Sequence, residues 1–118
     1  MIVAELQSPP RIDEHRGLAV CVDGRAVYDL KLGFNTVGRL PESDVMLAGL
    51  DISRRHCVIR TLPDGWCEVQ DACSCNGTYV NGEAIMGPKR LRPGDEIRVG
   101  SHRLRLSRSW DLTLKDES

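Results

Sequence analysis

The run Pro93-Gly94-Asp95-Glu96-Ile97-Arg98-Val99-Gly100-Ser101-His102-Arg103-Leu104-Arg105-Leu106 decides the fold class of this 118-residue chain. A turn signal precedes two short runs in which apolar and basic residues alternate. Ile97 and Val99 oppose Arg98 in the pleat, and Leu104 and Leu106 oppose Arg103 and Arg105. A period of two places successive side chains on opposite faces of a strand, so each run reads as a strand with one face in the core and one in water. The same texture extends backward through Leu18-Val22, Ala26-Leu32, Thr36-Val37, Val45-Leu47, Cys57-Leu62, Trp66-Gln70, Thr78-Val80 and Ala84-Ile85. Asp23-Gly24, Pro63-Asp64-Gly65 and Asn81-Gly82 punctuate it, and Asn-Gly or Asp-Gly between β-type runs signals a hairpin, because a type I′ turn needs φ > 0 at both central residues. No window sustains a 3.6-residue apolar stripe. About ten short strands at this spacing predict an all-β antiparallel sandwich or barrel.

Composition narrows the class. Hydrophobic residues make up 41% and charged residues 28%, an ordinary globular balance that argues against disorder and collagen. The longest apolar runs, such as Leu18 to Val22, fall far short of a membrane span. The net charge is −1, so bulk attraction to nucleic acid or a membrane is not implied. The cations are 13 Arg and 3 Lys, a bias toward the side chain that grips phosphate or carboxylate bidentately. The opening Met1-Ile2-Val3-Ala4-Glu5 has no basic leader, and the cysteine count of five is odd. Both features predict a cytoplasmic protein with reduced thiols. Residues 1–17 read as an N-terminal extension, 18–107 as the domain, and 108–118 as a tail.

Catalytic and metal signatures are missing: there is no GxxxxGK, GxGxxG, HExxH, CxxC or GxSxG motif. His56-Cys57 has the composition of a thiol dyad, yet neighbours on a strand point to opposite faces. Cys57, Cys67, Cys73 and Cys75 lack the spacing of zinc knuckles. If Pro63-Asp64-Gly65 closes a hairpin, residue 61 pairs with 67 and 57 with 71, placing Cys57 and Cys67 roughly 13 Å apart along the strands. Neither a shared metal nor a disulfide follows, so no enzyme, metal or cofactor is expected. Residues 89–108 hold seven Lys/Arg against two acids, but the aromatic interleaving of single-strand binders is missing and Trp110 stands alone beyond them. A solvated strand face is the simpler reading.

Three short segments remain: Gly38-Arg39, Ser53-Arg54-Arg55-His56 and Ser74-Cys75-Asn76-Gly77-Thr78. Each flanks a strand at a sheet end. Their side chains are donors and not general bases, a set that recognises an anion without transforming it. A phosphate, with about −1.5 to −2 charges and three acceptor oxygens, matches guanidiniums, a hydroxyl and an amide.

The order and spacing of these segments, followed by Asn81-Gly82 and the Pro93-Gly94-Asp95 turn, resemble the forkhead-associated (FHA) domain over about residues 18–107. The resemblance implies an eleven-stranded antiparallel β-sandwich whose apical loops bind phosphothreonine peptides. Arg39 would then contact the phosphate, Ser53 would donate its hydroxyl to it, and Arg54 would lie toward phosphate or peptide. Asn76 would hold the peptide backbone and Arg55 would reach residues beyond the phosphothreonine. Gly38, His56 and Gly77 would support the loops, and Asn81-Gly82 would turn a hairpin. The implied partner is a phosphothreonine protein made by a Ser/Thr kinase, with the domain itself a monomer. Thr113, with Asp116 three residues on, offers a second route, self-association through a phosphorylated tail. Two departures stand out. The family usually has Thr or Ser where this chain has Cys75, a poor donor. It often has Gly where this chain has Cys73, at a strain of roughly 1–2 kcal/mol if that position uses φ > 0. The alternative reading is a degenerate FHA domain serving as a structural or oligomerising module.

Overall fold

The computed structural model describes residues 17–109. The expectations for residues 1–16, Trp110 and Thr113 lie outside the described residues. Eleven strands form two sheets packed face to face. The first sheet has the order β2 (Ala26–Leu30), β1 (Leu18–Val22), β11 (His102–Arg108), β10 (Glu96–Val99), β7 (Thr78–Val80), β8 (Glu83–Ala84). The second runs β4 (Val45–Met46), β3 (Gly33–Gly38), β5 (Cys57–Thr61), β6 (Cys67–Asp71), β9 (Lys89–Leu91).

The pleat alternation sets the layers. Val20, Ile97, Val99, Leu104 and Leu106 from the first sheet meet Val37, Ile59 and Val69 from the second, all with no exposed surface. Fully burying a side chain of this kind stabilises by roughly 1.5–3 kcal/mol, so this inner layer is the main source of cohesion. Arg98, Arg103 and Arg105 stay on the solvent side of the same strands. The Asn81-Gly82 turn has φ of 50° and 88°, and Val80 pairs with Glu83 across it. The Asn81 side chain also accepts from the Glu96 N–H at 3.0 Å and donates to Asp95 at 3.1 Å, tying the hairpin to the start of β10. The β5–β6 hairpin has the predicted register, with Cys57 opposite Asp71 and Thr61 opposite Cys67.

Two features differ from the sequence reading. Lys89–Leu91 is an edge strand too short to show alternation; its place comes from Leu91, which is buried opposite Cys67. The pairing of β3 with β4 is parallel, unlike every other pair. Asp44 makes that return: its carboxylate accepts from the Thr36 N–H at 2.8 Å and the Thr36 hydroxyl at 3.1 Å, while its own N–H donates to the Thr36 Oγ at 3.0 Å. The Thr36 N–H bond holds the Asp44 carboxyl below the ordinary aspartate range, against burial and with Lys31 assisting. In the second sheet, Asn35 is buried and donates to the carbonyls of Lys31, Gly33 and Ile59 while its oxygen accepts the Lys31 N–H, which settles the cost of burying an amide.

Candidate functional site

Strand register brings three distant parts of the chain to one end of the sandwich. Val37, Cys57 and Asp71 lie side by side across β3, β5 and β6. Beyond them the chain leaves as Arg39, arrives through Ser53 to His56, and leaves again through residues 72–77. Arg39, Ser53, Arg54, Arg55, Cys75 and Asn76 line one open depression of about 460 Å³, together with Leu50, Asp51, Ile52 and Cys73.

The backbone frame comes first. The Arg39 N–H points at the carbonyls of Ser53 (3.2 Å) and Arg54 (3.1 Å). This approach needs a glycine before it: a Cβ on Gly38 would sit 2.1 Å from the Arg54 carbonyl oxygen. The second frame member is His56, buried with no exposed surface. Its Nδ1 accepts the Ser53 N–H at 3.1 Å, which leaves Nε2 as the protonated nitrogen, and Nε2 donates to the Gly77 carbonyl at 2.8 Å. One ring therefore joins the β4–β5 loop to the β6–β7 loop. It immediately precedes β5, and with both nitrogens engaged it forms no dyad with Cys57.

The third loop is held by Asp71. Its carboxylate accepts from the Ser74 hydroxyl at 2.5 Å, the Ser74 N–H at 3.0 Å and the Thr78 hydroxyl at 2.7 Å. Burial alone would raise this carboxyl; the Ser74 and Thr78 bonds outweigh it and hold the group below the usual aspartate value. Ser74 in turn accepts the Gly77 N–H at 2.9 Å. Cys73 has φ of 57°, the left-handed region in which a side chain is strained.

The ligating side chains differ in how firmly they are held. Arg39 donates from Nε to the Ile52 carbonyl at 3.1 Å, which orients the guanidinium and leaves its terminal nitrogens for the depression. The Ser53 Oγ accepts the Cys75 N–H at 3.0 Å, so its own O–H keeps a donor role. Asn76 donates to the Asp51 carbonyl at 3.1 Å and retains a second N–H and its oxygen. Arg54 and Arg55 are exposed, as are Cys73 and Cys75. Cys57 and Cys67 are buried, and burial pushes both thiols up to about 12. No group of three or more His, Cys, Asp or Glu side chains suited to a metal ion occurs among the described residues.

Sequence reasoning passed over two residues of this rim. Leu50 is fully exposed at the depression, and Asp51 supplies the carbonyl that Asn76 binds. The Ser101 hydroxyl leads the contacts that hold the Asp51 carboxyl below its ordinary range. Behind this loop, His102 bonds the Asp23 carboxylate and the Ala48 carbonyl, each at 2.7 Å. A single apolar residue in a loop carries no sequence signal, and neither does a carbonyl.

Comparison with known proteins agrees with this geometry. The family model for the FHA domain matches residues 35–100, more than half of the chain. The oxoglutarate dehydrogenase inhibitor of Corynebacterium efficiens is 48% identical over 69 residues, which cover 58% of this chain and 47% of that protein. The glycogen accumulation regulator GarA of Mycolicibacterium smegmatis is 44% identical over 69 residues, 58% of this chain and 42% of that one. The chain thus matches less than half the length of these relatives. Among solved structures, the FhaA FHA domain complexed with the intracellular domain of Rv3910 is 30% identical at a TM-score of 0.71, covering 75% of this chain and 98% of that one. An FHA domain studied for phosphothreonine-dependent interactions is 29% identical at a TM-score of 0.72, covering 77% and 95%. With its two-sheet sandwich and its three-loop apical depression, the chain belongs to the FHA domain family.

Proposed function

We propose that this chain is a phosphothreonine-peptide recognition module that makes protein association depend on phosphorylation. The observation that carries the reading is the depression itself. Three guanidiniums, a hydroxyl and an amide from three separate loops surround one open space, and the carboxylate that also lines it, Asp51, is engaged by the Ser101 hydroxyl. Such a set binds a dianion through charge-assisted hydrogen bonds and performs no chemistry on it. Arg39 and Ser53 hold the phosphate, Arg54 supports it, Asn76 holds the peptide backbone, and Arg55 meets residues beyond the phosphothreonine. Gly38, His56 and Gly77 fix the loops. The partner is the product of a Ser/Thr kinase, and the compartment is the cytoplasm, where such kinases act and five free thiols stay reduced. Among the described residues, no helix is long and apolar enough to cross a membrane.

The test is calorimetric titration with a phosphothreonine peptide and its unphosphorylated twin, using the native chain and Arg39→Ala. Binding only to the phosphorylated peptide is expected, with a loss of roughly 1.5–3 kcal/mol in Arg39→Ala, about tenfold or more, and little change in the unfolding midpoint. Equal binding by a folded Arg39→Ala protein would remove Arg39 from the site. No binding of either peptide would leave the structural or oligomerising module, which the thiol at position 75 favours.

A further inference from the structure

The five cysteines fall into two environments. Cys57 and Cys67 are buried in the sandwich, and Cys21 is half-buried on the outer face of β1, between Val27 and Arg105 in register. Cys73 and Cys75 are exposed, and both line the apical depression with Arg39, Arg54 and Arg55. Ser74 between them is turned inward onto Asp71 and the Gly77 N–H, so the two thiols flank an anchored residue and can react without unfolding the loop. The Cys75 N–H rests on the Ser53 Oγ, which fixes the backbone of residue 75 against the depression that it lines together with Ser53 and Asn76.

We propose that Cys75, with Cys73 beside it, is an exchange site for low-molecular-weight disulfides bearing carboxylates, and that the resulting mixed disulfide closes the depression to phosphopeptide. The three guanidiniums supply the selectivity, since they attract and hold carboxylates as they would a phosphate. In the reaction the Cys75 sulfur, having given its proton to solvent, attacks one sulfur of the disulfide. The protein–sulfur bond forms, the original S–S bond breaks, and the departing thiolate takes up a proton. The protein thiol is oxidised and one half of the disulfide is reduced to a thiol, so the exchange balances without another oxidant. The adduct lies among Arg39, Ser53 and Asn76. Its effect on affinity rests on the proposed phosphopeptide reading; the exchange chemistry does not.

The experiment treats the full chain with oxidised glutathione, and in parallel with the neutral bis(2-hydroxyethyl) disulfide. Adducts are mapped by mass spectrometry, and phosphothreonine peptide is titrated before and after dithiothreitol. Expected are first modification at Cys75 or Cys73, a preference for the anionic disulfide that fades with salt, and an affinity loss of about tenfold or more that dithiothreitol reverses. A Cys73→Gly, Cys75→Ser double variant, which lacks both thiols of the depression, should show no change in its own affinity on the same treatment. First labelling at Cys21, equal rates with the two disulfides, or unchanged affinity in the Cys75 adduct would each overturn the proposal. A chain that binds no phosphopeptide even when reduced would refute the proposed function and the gating with it, while the adduct map still decides the exchange site.

Discussion

At the scale of single residues, the loop 73–75 carries two departures whose consequences differ in kind. Cys73 sits at φ of 57°, where a side chain is strained and glycine is not. Cys73→Gly relieves roughly 1–2 kcal/mol of strain, partly offset by the greater freedom of glycine in the unfolded chain. The variant should be more stable by about 0.5–1 kcal/mol in urea unfolding, with an unchanged m-value. Cys75 concerns affinity instead. A hydroxyl there would add one charge-assisted hydrogen bond, worth roughly 1.5–3 kcal/mol, toward the phosphate of the proposed ligand, so Cys75→Thr should tighten phosphothreonine peptide by about tenfold or more in calorimetry. Weaker binding would show that the thiol fits this loop better than a hydroxyl.

At the scale of elements, the end of β3 and the β4–β5 loop act as one unit, because backbone meets backbone at Gly38 and Arg54. A Cβ at Gly38 would stand 2.1 Å from a carbonyl oxygen, and a backbone atom cannot swing aside as a side-chain tip can. Gly38→Ala should therefore destabilise by about 1–3 kcal/mol, the cost typical of overpacking, and should displace residues 53–55. Thermal unfolding measures the first effect and phosphopeptide titration the second. A protein as stable as the native one would mean that the two segments separate at little cost. The pairing of Gly38-Arg39 with Ser53-Arg54-Arg55-His56 was legible as two motifs in order; the space constraint that joins them is visible only once the strands are in register.

At the scale of the whole molecule, His102 links both ends of the chain's fold: β11 to the β1–β2 turn through Asp23, and to the loop before the rim through Ala48. The Ala48 carbonyl, with the Asp23 carboxylate assisting, raises His102 above its ordinary 6.5. The Arg103 N–H, with His102 assisting, lowers Asp23 below 3.8. The contribution of His102 is complete below its unfolded value and is lost as pH rises through its raised folded value. That of Asp23 is complete above its unfolded value and is lost as pH falls through its lowered one. Stability from this contact is thus greatest between those limits. Raising the pH from 6 to 8 should lower the melting temperature by about 2–5 °C, given that such partly solvated pairs contribute about 0.5–1 kcal/mol. His102→Gln should lack that pH-dependent step, and an equal drop in the variant would assign it to another group.

By itself the sequence determined the strands with clean alternation, the Asn81-Gly82 and Pro63-Asp64-Gly65 hairpins, and the three donor-bearing loop segments. Each is a local matter: a pleat period, a turn that needs φ > 0, or a side chain's charge. Tertiary structure decided what depends on contacts between residues far apart in the chain. Lys89–Leu91 is a strand because Leu91 packs opposite Cys67. The pairing of β3 with β4 is parallel because Asp44 binds Thr36. His56 clamps two loops because Ser53 and Gly77 converge on its ring. Leu50 and Asp51 join the rim because the loop that carries them folds over Asn76. A motif shows which groups are available; only packing fixes their distances, and distance decides whether donors from three loops share one anion.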